Sequence, residues 1–142
     1  MTDDSNWPRS LWITLLGRFC FTLIFFISGI THFTDVQGYV GLMPPDMPWR
    51  EFWVLTSGGV ELAGAFMILF NWQARLGAWL LVLFLIPVTI VVHGVGVVVA
   101  ETDIMRQIQT SFFLKGVTMT GGALLISQFG VRHPEPLPLS DG

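Results

Sequence analysis

The sequence predicts an all-α integral membrane protein, a bundle of four helices crossing the bilayer, and three observations predict it. Hydrophobic residues make up 52% of the 142-residue chain and charged residues only 12%, with a mean hydropathy of +0.65. That is more apolar surface than a water-soluble core of this size absorbs. The apolar residues gather into four runs, each near the length that a helix rising about 1.5 Å per residue needs to cross a hydrocarbon layer of about 30 Å. Each run also carries an ionisable residue among small or polar ones, as expected of helices whose polar groups face protein and not lipid.

Residues 1–10 hold Asp3, Asp4 and Pro8 and read as a polar tail. The first span follows at about 11–33, longer than a signal peptide's apolar region and without a small-residue cleavage site, so it is expected to be retained. The connection 34–51 holds three prolines, two glycines, Tyr39 and Trp49, a composition for an ordered loop at headgroup level. The second span, about 52–70, contains Glu61. Asn71 to Gln73 leave room only for a tight antiparallel turn, which makes the second and third spans neighbours. The third, about 74–98, contains Pro87 and His93, and a kink without a break is expected at the proline. Residues 99–110 are polar and read as a loop that begins with a short extension of the third helix. The fourth span, about 111–129, contains Lys115 and completes a transmembrane domain over 11–130. The proline-rich residues 131–142 read as an exposed tail. Arg9, Arg75 and Arg132 on one side, against Arg50 and Arg106 on the other, form a slight bias that favours termini in the cytoplasm.

Helical spacing sorts the polar residues onto faces. Arg18, Thr22, Phe25, Gly29 and His32 are offset by 4, 7, 11 and 14 residues, which places them on one stripe of the first helix. In the second, Ser57, Gly58, Gly64 and Ala65 surround Glu61 at i±3 and i±4, a packing seam with a polar centre. Thr89, His93 and Gly96 share one side of the third helix. Ser111, Lys115, Thr118 and Gly122 are expected to do the same in the fourth. Depth along alternately directed helices gathers His32, His93 and Lys115 toward the outer side with Glu61 near the midplane. Arg18 lies deeper, where its long side chain is expected to reach Glu61 as a structural ion pair.

Several function classes are disfavoured by composition. A net charge of −3 and an isoelectric point near 5.4 give no basic stripe for a phosphate backbone, so nucleic acid is not an expected partner. Cys20 is the single cysteine and lies in an apolar run, so neither a C-x-x-C redox pair nor a thiolate metal cluster is expected. No metal site and no flavin or nucleotide motif is evident.

The runs G-R-F (17–19) and F-I-S-G-I-T-H-F (26–33), the loop G-L-M-P-P (41–45), G-V-E-L-A-G-A (59–65) and F-L-K-G-V-T-M-T-G-G-A-L-L (113–125) together resemble the DoxX family, in order and spacing over about residues 10–130. The resemblance implies a four-helix membrane bundle in a bacterial or archaeal plasma membrane, with Arg18, Glu61, His93 and Lys115 where the family tends to keep polar residues. It also implies a redox setting. Relatives include membrane subunits of a thiosulfate:quinone oxidoreductase, and a partner of superoxide dismutase and a sulfurtransferase in an oxidant-resistance complex. Many others carry the label oxidoreductase without a known reaction. This chain has His32 where a lysine is frequent.

The leading functional expectation is a quinone- or sulfur-linked redox component. In it a quinone headgroup or other small molecule binds among His32, Glu61, His93 and Lys115, with Glu61 passing protons. The competing expectation is a non-catalytic anchor or assembly subunit for a soluble redox enzyme, with the polar stripes serving as glue. A b-type haem held by His32 and His93 is a weaker reading, because paired histidines are common in membrane bundles relative to haem sites. A small-solute carrier would require a homo-oligomer, since inverted repeats are lacking.

Overall fold

The structure is a computed structural model and describes residues 11–129. The tails 1–10 and 131–142, with Arg9 and Arg132, lie outside the described residues. Six α-helices run in order: α1 (Leu11–Thr34), α2 (Val36–Leu42), α3 (Arg50–Leu69), α4 (Ala74–Pro87), α5 (Val95–Val99) and α6 (Asp103–Phe129), with a π-helical segment, Val88–Gly94, joining α4 to α5. Among the described residues there is no strand. Three helical stretches are long and apolar enough to cross a membrane: Leu11–Thr34, Arg50–Leu69 and the continuous Ala74–Val99. The chain is therefore an all-α membrane bundle. Its fourth long helix, α6, has 27 residues but is more polar than the other three.

Packing follows chain order: α1 lies on α3, α3 on α4, and α4 with the π segment on α6. The centre is a cluster of Phe25, Ala65, Ile68, Ala78, Leu81, Val82, Leu85 and Ala123. Two glycine seams set how closely the helices approach. Gly29 of α1 faces Gly58 of α3, and a β-carbon at either would lie 3.2 Å from the other's carbonyl oxygen. Gly64 of α3 faces Gly77 of α4 more closely still, at 2.8–2.9 Å by the same measure. Such contacts are available only without side chains, and they replace the hydrophobic drive that helices lack in lipid. Outside the seams, Trp12, Leu83 and Val98 remain 78%, 68% and 82% exposed, as lipid-facing side chains would be.

Four residues, Phe70 to Gln73, make the tight turn between α3 and α4. Asn71 and Gln73 both adopt left-handed backbone, at φ 55° and 50°, and the Asn71 amide donates to the Ile68 carbonyl. Asparagine tolerates this region better than most residues. Asn71→Ala is therefore expected to cost about 1 kcal/mol of unfolding free energy, measured by denaturant titration in mixed micelles, whereas Asn71→Gly should be nearly neutral.

Pro87 does not break its helix. Lacking an N–H and crowding the preceding turn, it is followed by a wide π segment that restores helical continuity to Val99. The proline's disturbance is thus absorbed as a change of helical pitch, often found at functional positions. The polar stretch after Val99 also differs from expectation. Its greater part starts α6, because Thr102 caps the helix by accepting the Met105 amide at 3.2 Å, and Asp103 pairs with Arg106 at 3.3 Å in the first turn.

The face of α6 is a further correction. Ser111, Lys115 and Thr118 point outward, and only Gly122 of the predicted set turns partly inward, against Phe21. The buried line instead runs through Gly116, Ala123 and Ser127, with Gly116 pressed against the Thr89 side chain. A rotation of about 100°, one residue of helix, exchanges Lys115 for Gly116. An ammonium inside would need a buried counter-charge, whereas glycine and alanine let α4 approach. Near the far end of α6, Arg75 reaches across from α4 and donates through Nε to the Ser127 carbonyl at 3.1 Å, satisfying one acceptor of the last turn.

Candidate functional site

The stripe read on α1 places its polar residues against α3. Thr22, Phe25, Gly29 and His32 are buried, while Arg18 is half-buried. On α3, Gly58, Glu61, Gly64 and Ala65 are buried. Glu61 therefore sits between the two glycine seams, one packing on α1 and the other on α4. The residue is 1% exposed.

Around that carboxylate the structure assembles a polar cluster. Ser28 Oγ donates to Glu61 Oε1 at 3.3 Å. Glu61 Oε2 is fully enclosed and has no hydrogen-bond partner, and His32 Nδ1 lies 3.8 Å from it. His32 Nδ1 also lies 2.8 Å from the Ser28 carbonyl oxygen. A carbonyl only accepts, so Nδ1 carries the hydrogen and Nε2 is left to exchange a proton. With that hydrogen on the Ser28 carbonyl, the 3.8 Å from Nδ1 to Glu61 Oε2 is a contact and not a hydrogen bond. The arrangement sets two groups that can each carry a proton side by side, an imidazole near the C-terminal end of α1 and a carboxyl group in the bundle interior.

Helix α2 closes the cluster. Asp35 accepts the Gly38 amide at 3.1 Å and starts a short helix that lays the Tyr39 ring on His32, centroids 3.9 Å apart. The Thr31 hydroxyl donates to the carbonyls of Ser28 and Ile27, so in its 2.7 Å contact with the Tyr39 hydroxyl it is the acceptor. Phe84 of α4 meets the His32 ring edge-on at 6.3 Å. Tyr39→Phe should keep the ring stacking but lose the bond to Thr31, at about 1 kcal/mol. Amide hydrogen exchange across Val36–Leu42 should rise accordingly, with little change elsewhere.

The five singled-out residues do not form one site. His32 and Glu61 are brought together. His93 and Lys115 belong to a second cluster near the start of α6, where His93 Nδ1 donates to Gln109 Oε1 at 3.0 Å. There Phe112 meets the His93 ring at 5.3 Å and the Lys115 ammonium at 5.3 Å. Among the described residues no hydrogen bond or ion pair joins the two clusters. The expected pairing of Arg18 with Glu61 is not formed. Glu61 is opposite Ser28, ten residues beyond Arg18 on α1, about 15 Å of helix rise and beyond the reach of the arginine side chain. No group of three or more His, Cys, Asp or Glu side chains able to hold a metal ion occurs among the described residues.

Sequence reading passed over Ser28, Thr31, Tyr39 and Gln109. Ser28 had a visible signal, lying four residues before His32 and so on its face. Tyr39 gave none, since its loop composition matched an interfacial anchor equally well.

The DoxX family model matches residues 13–94. The chain belongs to the DoxX family. The match includes α1 to α4 and the π segment, hence Glu61, Ser28, His32, Tyr39 and His93; Lys115 and the rest of α6 lie beyond it. No curated protein and no solved structure matches the chain.

Proposed function

We propose that this DoxX-family protein is a quinone-linked redox component of a bacterial or archaeal plasma membrane, with four crossings and both termini in the cytoplasm. The observation that carries the proposal is Glu61: a carboxylate buried within a span, hydrogen-bonded through one oxygen, enclosed without a hydrogen bond at the other, and beside a histidine. Burying an incompletely bonded carboxylate costs several kcal/mol, more than packing requires, since the glycine seams already fix the helix register. A group that takes up and releases protons gives that cost a use. Reduction of a quinone consumes two electrons and two protons. In this reading Glu61 and His32 handle the protons, and a reduced sulfur compound or a soluble partner enzyme supplies the electrons. The quinone ring approaches from the lipid side at half-buried Ser28.

The test is direct. Protein purified in mild detergent is incubated with a photoreactive short-chain quinone. The expected result is labelling of α1 or α3 peptides near Ser28 and Glu61, prevented by excess unlabelled quinone. Labelling spread over the lipid-facing surface, with no competition, would refute the reading.

A second reading, an anchor for a soluble enzyme, has its own observation. Beside the Pro-rich loop a hollow of about 490 Å³ is lined by Gln37, Val40, Trp49, Arg50, Glu51 and Phe52, and Trp49 is 78% exposed. Co-purification of a soluble redox enzyme that Trp49→Ser releases would favour it.

A further inference from the structure

Lys115, left out of the Glu61 cluster, is the basis of a separate site. A groove of about 300 Å³ runs between α1 and α6, lined by Ile24, Leu114, Lys115, Thr118 and Met119, at the small end of the range for bound organic molecules. Its walls are apolar apart from the lysine and a threonine whose hydroxyl already donates to the Leu114 carbonyl at 3.0 Å. No carboxylate among the described residues pairs with Lys115. The first turns of α6 carry Asp103, Arg106, Gln107, Gln109 and Ser111, so the apolar part of the helix starts near Phe112. Lys115 lies one turn deeper, and its ammonium turns back over the Phe112 ring at 5.3 Å. Side chains on a helix lean toward its N-terminus, and here that direction carries the charge up toward the headgroup level.

The geometry points to a binding site for an acidic phospholipid, its phosphate on the Lys115 ammonium and one acyl chain in the groove beside Ile24 and Met119. The charge fixes the choice of occupant. A cation at the headgroup-level mouth of a lipid-facing apolar groove, held only by the Phe112 ring face among the described residues, attracts an anion, and an apolar tail on that anion fills the rest. An attraction of the size usual for a basic residue at a membrane surface corresponds to roughly five-fold selectivity. The site is independent of the redox reading and stands whether or not the protein handles quinone.

The full-length protein, delipidated and reconstituted with mixtures of phosphatidylglycerol and phosphatidylcholine of identical acyl chains, is examined by native mass spectrometry. The wild type should retain the acidic lipid about five-fold over the zwitterionic one. Lys115→Gln should abolish the preference and Lys115→Arg should keep it. Ile24→Trp, which fills the groove and leaves the charge in place, should also abolish retention and serves if Lys115→Gln does not fold. Inorganic phosphate in a parallel arm distinguishes a lipid from a soluble oxyanion. Equal selectivity in the wild type and Lys115→Gln, retention unaffected by Ile24→Trp, or displacement of the lipid by phosphate alone would each overturn the assignment.

Discussion

Gly77→Ala is expected to lower the unfolding free energy by about 3 kcal/mol, the upper part of the range for overpacking a tight core, although it adds one methyl group. A β-carbon at Gly77 would lie 2.7 Å from the Met67 β-carbon and 2.8 Å from the Gly64 carbonyl oxygen. Neither atom swings aside as the end of a flexible side chain does, so α3 and α4 must move apart. Their separation also loosens Ala65, Ile68, Ala78 and Leu81, which meet across the same interface. Gly59→Ala supplies the control on α3, because a β-carbon there meets nothing within 4 Å. That change should be neutral or stabilise by up to about 1 kcal/mol through helix propensity. Unfolding both variants in mixed micelles compares them directly. Equal stabilities would show that the α3–α4 seam has slack that the packing distances do not reveal.

The same seam shows what could be read before the structure. Glu61 with glycine three residues to either side announced a close-packed polar centre, and the i, i+4, i+7 stripe of α1 placed His32 on the face that buries it. Both are local patterns, set by helical pitch alone. The face of α6 was misread for a reason equally physical. Two stripes one residue apart compete there, one carrying Lys115 and the other Gly116, Ala123 and Ser127. Polarity favours the first as an interior face, but close approach to Thr89 and α4 selects the second. The division of the polar residues into two clusters was also hidden, since it depends on the depths of helices relative to one another. Tyr39 was least legible of all. Its place over His32 depends on a seven-residue helix started by Asp35 and held against α1 and α3, and a loop of prolines, glycines and aromatics does not announce that.

On the proposed quinone-linked function, Glu61→Gln is expected to leave the bundle folded and to lower turnover by about a hundred-fold or more, within the range for removing a positioned acid or base. Glutamine has the size of the carboxyl group, so the packing between the seams persists. Its amide oxygen can still accept from Ser28 Oγ in place of Glu61 Oε1. What is lost is the proton-carrying capacity of the enclosed, unbonded oxygen beside His32 Nδ1. The sign follows from geometry: quinone affinity should change little, because Glu61 is 1% exposed and communicates with the lipid side through Ser28. The rate should fall, and one limb of its pH profile should disappear. Glu61→Leu separates this role from structure, since it leaves Ser28 Oγ without its acceptor while His32 Nδ1 keeps the Ser28 carbonyl, and it should destabilise the fold by about 1–3 kcal/mol. The two variants together distinguish proton handling from polar glue. If Glu61→Gln keeps full turnover, the carboxylate does not carry the protons; if it loses the fold as Glu61→Leu does, its ionisable oxygen is part of what holds α1 to α3.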